Sequence, residues 1–87
     1  MKKNKINISD MKISNSLDAI GLFCPAPIAM LKMELGEVKS SEIVKIIADD
    51  PGFEKDLPLW CNSTGNKLLF LERDEKGIFS GYVKKKK

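Results

Sequence analysis

Hydrophobic residues along the chain fall into short segments whose spacing alternates between strand-like and helix-like patterns. A nearly continuous, β-branched run at residues 43–48 is typical of a strand inside a sheet. A shorter apolar run at residues 17–20 predicts an earlier strand, and runs at residues 67–73 and 78–84 predict two antiparallel strands. The tetrapeptide Asp-Glu-Lys-Gly joins the last two strands, and its glycine can adopt the positive φ of a turn.

Two helices are predicted between these strands. Helix signals for the first begin at Cys24, which we expect at or beside its N-cap, and end at Gly36. Its apolar stripe has helical spacing, at Ile28, Leu31 and Leu35. In the second helix, Asp50 is a candidate N-cap followed by proline at N1, and Gly65 is a natural end. Pro58 lies inside this second helix and predicts a kink or a restart.

The element order βαβαββ predicts an α/β (α+β) two-layer sandwich, with a mixed four-stranded sheet and two helices on one face. A chain of 87 residues forms one domain, and a domain of this size buries only about 60% of the surface that its unfolded chain exposes, so we expect no deep active site. Residues 1–16 are interpreted as an extension, either flexible or carrying an edge strand at residues 6–8. Residues 17–84 form the domain and residues 85–87 a basic tail.

Composition and charge narrow the function classes. Apolar residues make up 43% of the chain and charged residues 31%, which is typical of a globular protein. No apolar run is long enough for a signal peptide or a membrane span, so we expect a cytoplasmic protein without a membrane partner. Of the fifteen basic residues, seven lie in two terminal lysine clusters, which leaves eight basic against twelve acidic residues in the body. This balance argues against direct nucleic-acid binding by the folded domain.

The chain has two cysteines and no histidine. The absence of histidine excludes a Cys–His nucleophile pair, and two thiols alone make a poor zinc site, so we expect neither a metal nor a cofactor. The separation of Cys24 and Cys61 is not the C-x-x-C spacing of a dithiol oxidoreductase. Cys61, beside Trp60 in the second helix, is interpreted as a core residue, with a resolving thiol as the alternative.

The stretch IGLFCPAP places Cys24 between the first strand and the first helix. Pro25 suits position N1 and Pro27 suits N3, because the first four N–H groups of a helix have no partner inside it. Gly21 marks a turn or a close backbone approach. The two prolines therefore start the helix and hold Cys24 at a rigid corner, where its thiol is presented to another molecule.

Carboxylates are expected around this cysteine. The carboxyl ends of parallel strands share one edge of a sheet, so Asp49 and Asp50 should lie near Cys24. These charges oppose a thiolate while the helix N-terminus favours one, so we expect no strongly lowered pKa for Cys24. A thiol that exchanges sulfur can work near its ordinary pKa. Asp50 is either a helix cap or part of an acidic docking patch, and Asp18 either orients the cysteine loop or satisfies a turn N–H group.

Several motifs along the chain form a recognisable set. They are Asp18-x-x-Gly21-x-x-Cys24-Pro25-x-Pro27, Ala48-Asp49-Asp50-Pro51, Asp56-Leu57-Pro58, Trp60-Cys61 and Gly65-Asn66. Over residues 17–83 the chain resembles the TusA/SirA family of small sulfur-carrier proteins. The resemblance implies that Cys24 accepts a persulfide sulfur from a donor such as a cysteine desulfurase and passes it to a downstream sulfur-acceptor protein. The candidate site is therefore Cys24, with the supporting residues Asp18, Gly21, Pro25, Pro27, Asp49 and Asp50.

The pathway and the partners stay open at this point. The best-known member of the family feeds a relay that 2-thiolates the wobble uridine of certain tRNAs, and relatives serve sulfur oxidation, molybdenum-cofactor supply or selenium metabolism. The extra N-terminal residues and the lysine-rich C-terminus depart from the family pattern and leave partner identity undetermined. Two alternatives are a small RNA-binding module that uses its basic tails and a regulatory adaptor whose Cys24 senses redox state. We expect the free chain to be a monomer.

Overall fold

The structure is a computed structural model that describes residues 13–86. These residues form β1 (Ile13–Ala19), α1 (Ala26–Glu37), β2 (Ile43–Ala48), α2 (Phe53–Thr64), β3 (Lys67–Arg73) and β4 (Phe79–Lys84). The predicted βαβαββ order is confirmed. The edge strand predicted at residues 6–8 lies outside the described residues.

The strands form one mixed sheet with the order β1-β2-β4-β3. β1 runs parallel to β2, whereas β4 pairs antiparallel with both β2 and β3. α1 packs against β1 and β2, α2 packs against β3 and β4, and the two helices contact each other. Both helices therefore cover the same face of the sheet, as the two-layer prediction requires.

The hydrophobic core lies between the sheet and the helices. Along β2 the side chains alternate, with Val44, Ile46 and Ala48 buried and the residues between them only half-buried. This alternation is what a strand with one covered face requires. The largest fully buried side chains are Phe53, Leu31, Ile46, Leu57, Val44, Val83 and Pro27.

Gly81 in β4 allows α2 to approach the sheet closely. A Cβ atom at this position would lie only 2.5 Å from Cδ2 of Leu57, a fully buried residue of α2. Carbon atoms normally approach to about 3.5–4.0 Å, so only glycine fits under this side chain. The contact sets the height of α2 above the sheet and, with it, the position of the first turn of that helix.

Strand β1 begins earlier than predicted. The apolar pattern starts at residue 17, but the strand begins at Ile13, which pairs with Ile43 at the start of β2. Residues 14–16 are polar and exposed, so their pairing depends on backbone hydrogen bonds and leaves no apolar signal in the sequence.

Helix α1 differs from the prediction at both ends. It begins one residue later, at Ala26, with Pro25 as its N-cap and Pro27 at N2 instead of N3. Residues 23–26 form a turn, in which the N–H of Ala26 donates to the carbonyl of Phe23 at 2.9 Å, where the sequence predicted the first residue of the helix. The Cys24–Pro25 peptide bond in this turn is cis. The helix also continues through Gly36 for one more residue, because Gly36 does not adopt a positive φ.

Helix α2 begins at Phe53, with Gly52 as its N-cap. The predicted cap, Asp50, does not cap the helix, because its carboxylate accepts a hydrogen bond from the cysteine loop instead. The helix continues through Pro58 without the restart that the sequence allowed. Its end is as predicted, since Gly65 has φ +86° and donates its N–H to the carbonyl four residues earlier, at 2.9 Å.

The basic C-terminal segment contacts the domain over its first two residues. The backbone of Lys85 donates to the carbonyl of Glu42 at 2.9 Å and accepts from the N–H of Ser41 at 3.0 Å. The N–H of Lys86 donates to Oδ1 of Asn66 at 3.0 Å. Residues 85 and 86 therefore continue the fold beyond the end of β4.

Candidate functional site at the β1–α1 corner

The carboxyl ends of β1 and β2 lie side by side at one edge of the sheet. Their last residues, Ala19 and Ala48, are paired in register, and both are fully buried. The loops that follow them, residues 20–25 and 49–52, therefore leave the sheet at the same point. Cys24 lies at this edge, as the sequence predicts.

Two aspartates of the second loop hold the backbone of the cysteine loop. Oδ1 of Asp49 accepts a hydrogen bond from the N–H of Gly21 at 2.9 Å. Oδ2 of Asp50 accepts one from the N–H of Cys24 at 3.1 Å. Hydrogen bonds to charged acceptors are the stronger ones, so these two contacts fix the loop against the end of β2. Asp50 contacts the cysteine itself, whereas Asp49 contacts the loop three residues earlier.

The cysteine loop starts with a tight turn. The N–H of Leu22 donates to the carbonyl of Ala19 at 3.1 Å, and Gly21 has φ +86°. Glycine adopts this conformation without the strain that a Cβ atom would cause. Oδ1 of Asp18 accepts a hydrogen bond from the N–H of Ile20 at 3.0 Å, so Asp18 satisfies a turn N–H group, one of the two roles considered for it.

The two prolines play different parts at the corner. Pro27 is fully buried, so its ring anchors the first turn of α1 in the interior. Pro25 is exposed, as is Cys24 immediately before it. The chain is thus fixed on the helix side of the corner, while the cysteine faces solvent.

The thiol of Cys24 donates a hydrogen bond to Oδ2 of Asp56, in the first turns of α2. The sequence pattern did not identify Asp56 as a site residue, because 32 residues separate it from the cysteine. The available signal was its place in the motif Asp56-Leu57-Pro58, near the start of a helix that follows a strand at this same sheet edge. Two carboxylates, those of Asp50 and Asp56, therefore contact Cys24, while Asp49 holds the loop that carries it.

Gly52 lies beneath these groups and was also missed. A Cβ atom at this position would lie 3.3 Å from Oδ2 of Asp50, 3.8 Å from Oδ2 of Asp56 and 4.0 Å from Cβ of Cys24. Its φ of −69° is one that any residue adopts, so the backbone does not require glycine here. A Cβ atom would displace the Asp50 carboxylate by a few tenths of an ångström, whereas its distances to Asp56 and Cys24 are ordinary contacts.

The surroundings raise the pKa of the Cys24 thiol above its ordinary value. The largest cause is the hydrogen bond that the protonated thiol gives to Asp56, followed by partial loss of water and by the negative charges of Asp56 and Asp50. Each of these contacts favours the neutral thiol over the thiolate. The prediction that the pKa is not strongly lowered is confirmed in direction, with Asp56 as the main cause.

The loop that carries the cysteine also exposes apolar side chains. We use the name apolar ridge for Ile20, Leu22 and Phe23, which are 39%, 37% and 75% exposed, respectively. Clusters of exposed apolar side chains are typical of interaction sites. The loop that carries the thiol thus combines contacts to carboxylates with exposed apolar side chains.

Cys61 lies in the core. It is only 3% exposed, and burial raises its pKa to about 11. It follows Asp56 by five residues of the same helix, which is roughly 7.5 Å along the axis at about 1.5 Å per residue. The core interpretation is confirmed, and a resolving role for Cys61 does not fit this structure.

The site is a surface and not an enclosed pocket. An open cleft of about 470 Å³ lies beside the second loop, lined by Asp49, Pro51, Glu54, Arg73, Lys76, Gly77 and Phe79, and Cys24 is not among these residues. Within residues 13–86, no group of three or more cysteine, aspartate or glutamate side chains is arranged to hold a metal ion. The arrangement suits a reaction between the thiol and a group presented by another macromolecule.

Comparisons with known proteins agree with this geometry. The family model described as "Sulfurtransferase TusA" matches residues 15–85. A sulfur carrier protein TusA from Pseudomonas syringae pv. syringae is 35% identical over 79 residues, which cover 91% of this chain and 93% of that protein. A TusA protein from Pseudomonas putida F1 is 37% identical over 70 residues, which cover 80% of this chain and 86% of that protein. The crystal structure of a SirA-like protein from Desulfitobacterium hafniense superimposes with a TM-score of 0.73 at 19% identity, covering 84% of this chain and 99% of that one.

Proposed function

Because this chain belongs to the TusA sulfurtransferase family, we propose that it is a sulfur carrier whose Cys24 holds the transferred sulfur as a persulfide. The resemblance noted in the sequence is confirmed by the family match and by the sulfur carrier proteins among the relatives. The observation that supports Cys24 as the carrying residue is its exposure at the β1–α1 corner, whereas the second cysteine is buried.

The chemistry consists of two exchange steps at sulfur. In the first, the Cys24 thiolate attacks the outer sulfur of a donor persulfide, the donor S–S bond breaks, and a new S–S bond forms on Cys24. In the second, an acceptor thiolate attacks that outer sulfur, and Cys24 leaves and takes up a proton. One S–S bond breaks and one forms in each step, so the sequence needs no external oxidant or reductant.

The donor that we propose is a cysteine desulfurase, and the acceptor is a cysteine of a downstream sulfur-relay protein. Both must bring a sulfur atom to the exposed thiol, and the apolar ridge gives them a surface to bind. Exposed aromatic side chains are typical anchors of protein interfaces, so Phe23 is the main contact that we expect.

The pathway that we propose is tRNA 2-thiouridine synthesis, with other sulfur metabolism as the alternative. A cytoplasmic location fits such a relay and stays a prediction. Neither of the two helices of residues 13–86 is long and apolar enough to cross a membrane.

The state of the thiol does not separate the redox-sensing alternative from the carrier, because oxidation and charging both proceed through the thiolate. The match to a sulfurtransferase family favours the carrier. The RNA-binding alternative depends on the basic tails, of which residues 85 and 86 are held by backbone contacts to the domain. We therefore put the sulfur carrier first.

The test is charging by a cysteine desulfurase with cysteine as substrate, followed by intact mass under non-reducing conditions. We expect the wild-type chain and Cys61→Ala to gain the mass of one sulfur atom, and Cys24→Ser to gain none. Removal of the added mass by dithiothreitol identifies it as a persulfide. A wild-type chain that stays uncharged where an established carrier is charged contradicts the proposal, and so does charging of Cys24→Ser.

A further inference from the structure

Cys24 is exposed, and at rest its thiol is bound to a carboxylate of the neighbouring helix. The thiol S–H donates a hydrogen bond to Oδ2 of Asp56, and the backbone N–H of Cys24 donates one to Oδ2 of Asp50. Gly52 leaves room for the Asp50 carboxylate on this side. The acidic groups beside Cys24 come from α2 and from the loop before it, and their contacts and charges raise the pKa of its thiol. This arrangement is the reverse of the electropositive surroundings that activate a nucleophilic cysteine.

We propose that Asp56 is a positioning residue that holds the unloaded Cys24 as a neutral thiol, so that the carrier exchanges sulfur only slowly with small thiols and persulfides in solution. This inference rests on the proposed sulfur-carrier function. Asp56 acts through Cys24 and does not itself contact the transferred sulfur in the unloaded state. Its role is to reserve the thiol for partners that dock beside it.

The same carboxylate affects both exchange steps. Charging requires a thiolate, so a thiol held in its protonated form attacks a persulfide slowly. Discharge requires Cys24 to leave, and a leaving thiol of higher pKa leaves more slowly. A sulfur atom already on Cys24 is thus protected from attack by free thiols, because the inner sulfur is a poor leaving group beside a negative charge.

Loading also changes the contact itself. The inner sulfur of a persulfide carries no proton, so the hydrogen bond from Sγ to Asp56 is lost when the outer sulfur arrives. The Asp56 carboxylate then repels an ionised outer sulfur and favours its rotation away from α2. The unloaded thiol and the loaded sulfur therefore point in different directions, which allows an acceptor to distinguish a charged carrier from an empty one.

The first measurement is the rate at which iodoacetamide alkylates Cys24 between pH 6 and 10, followed by intact mass. We expect Asp56→Asn to shift the pH–rate profile to lower pH and to raise the rate at pH 7 by about twofold or more, because a larger thiolate fraction outweighs the lower intrinsic nucleophilicity. The matched control is Glu54→Gln, which removes an equal charge from the first turn of α2 but does not affect the protonation of Cys24.

The inference is overturned if the Asp56→Asn profile superimposes on that of the wild type, or if Glu54→Gln shifts the profile equally. Thermal unfolding checks that each variant is folded, and Asp56→Ser provides a second neutral replacement that must shift the profile in the same direction. Because alkylation involves no persulfide, this result stands even if the desulfurase fails to charge the carrier.

The second measurement follows the loss of sulfur from charged protein in the presence of glutathione. We expect the persulfide of Asp56→Asn to be lost faster than that of the wild type and of Glu54→Gln. Equal rates of loss in all three proteins would exclude protection by Asp56. The wild type must first be charged, so a failure at that stage counts against the proposed function and not against the role of Asp56.

Discussion

The close approach of α2 to the sheet at Gly81 leads to a prediction about stability. In Gly81→Ala, the new Cβ atom would lie 2.5 Å from Cδ2 of Leu57, at least about 1 Å closer than a normal carbon–carbon contact. Leu57 is fully buried, so its displacement would disturb the core around it. Overpacking of this kind costs about 1–3 kcal/mol, and the lower chain entropy of unfolded alanine offsets about 0.4–1 kcal/mol of it.

We therefore expect Gly81→Ala to lower the free energy of unfolding by about 1–2 kcal/mol, which corresponds to a fall in Tm of roughly 5–15 °C for a domain of this size. The matched control is Gly36→Ala, since Gly36 lies in exposed helix and a Cβ atom there would have no heavy atom within 4 Å. This control should stabilise the protein by about 0.5–1 kcal/mol. Urea denaturation followed by circular dichroism measures both variants. A Gly81→Ala protein as stable as the wild type would refute the packing argument, and equal effects of the two substitutions would attribute the change to glycine entropy alone.

Two further predictions concern the apolar ridge and the buried thiol of Cys61. Phe23→Ser should raise the KM of a cysteine desulfurase for this carrier by about tenfold with little change in kcat. The control is Met33→Ser, which should leave both constants unchanged, because Met33 is as exposed as Phe23, at 74%, but lies two turns along α1. Similar constants for the wild type and both variants would exclude the ridge as a docking surface. The wild type should lose stability as the pH rises from 9 to about 11. In the folded state the pKa of Cys61 is about 11, whereas in the unfolded chain the thiol has its ordinary pKa of 9.0 and loses its proton first. The contribution of Cys61, taken as the difference in slope between the wild type and Cys61→Ala in urea denaturation at each pH, should reach at most about 1.4 kcal/mol per pH unit; parallel curves for the two proteins would contradict it.

Local pattern predicts the elements of this fold better than it predicts their ends. Strand β2 begins and ends at the predicted residues because its apolar run coincides with its burial. The start of β1 at Ile13 left no such signal, since its first residues pair through the backbone only. The start of α2 was misplaced because the carboxylate of Asp50, a good cap by local rules, bonds to the N–H of Cys24, 26 residues earlier in the chain.

The same distinction applies to the site. The position of Cys24 follows from the prolines beside it, and the place of Asp49 and Asp50 follows from the shared edge of two parallel strands. Asp56 and Gly52 act through the height and direction of α2, which are set by contacts such as that of Leu57 over Gly81. Contacts of this kind join residues that are far apart in sequence and have no local signature.

The residues that fix the position of the β1–α1 corner differ from those that form its exposed apolar surface. The corner is fixed by buried groups, Ala19, Ala48 and Pro27, and by the hydrogen bonds from the two loop aspartates. The apolar ridge lies outside this set of residues, and substitutions at exposed positions usually change stability by no more than about 0.5 kcal/mol. If donors and acceptors bind the apolar ridge, as we propose, substitutions at Phe23 and its neighbours change partner binding while the thiol, its carboxylates and the fold are retained. One fixed cysteine corner is then compatible with different donors and acceptors.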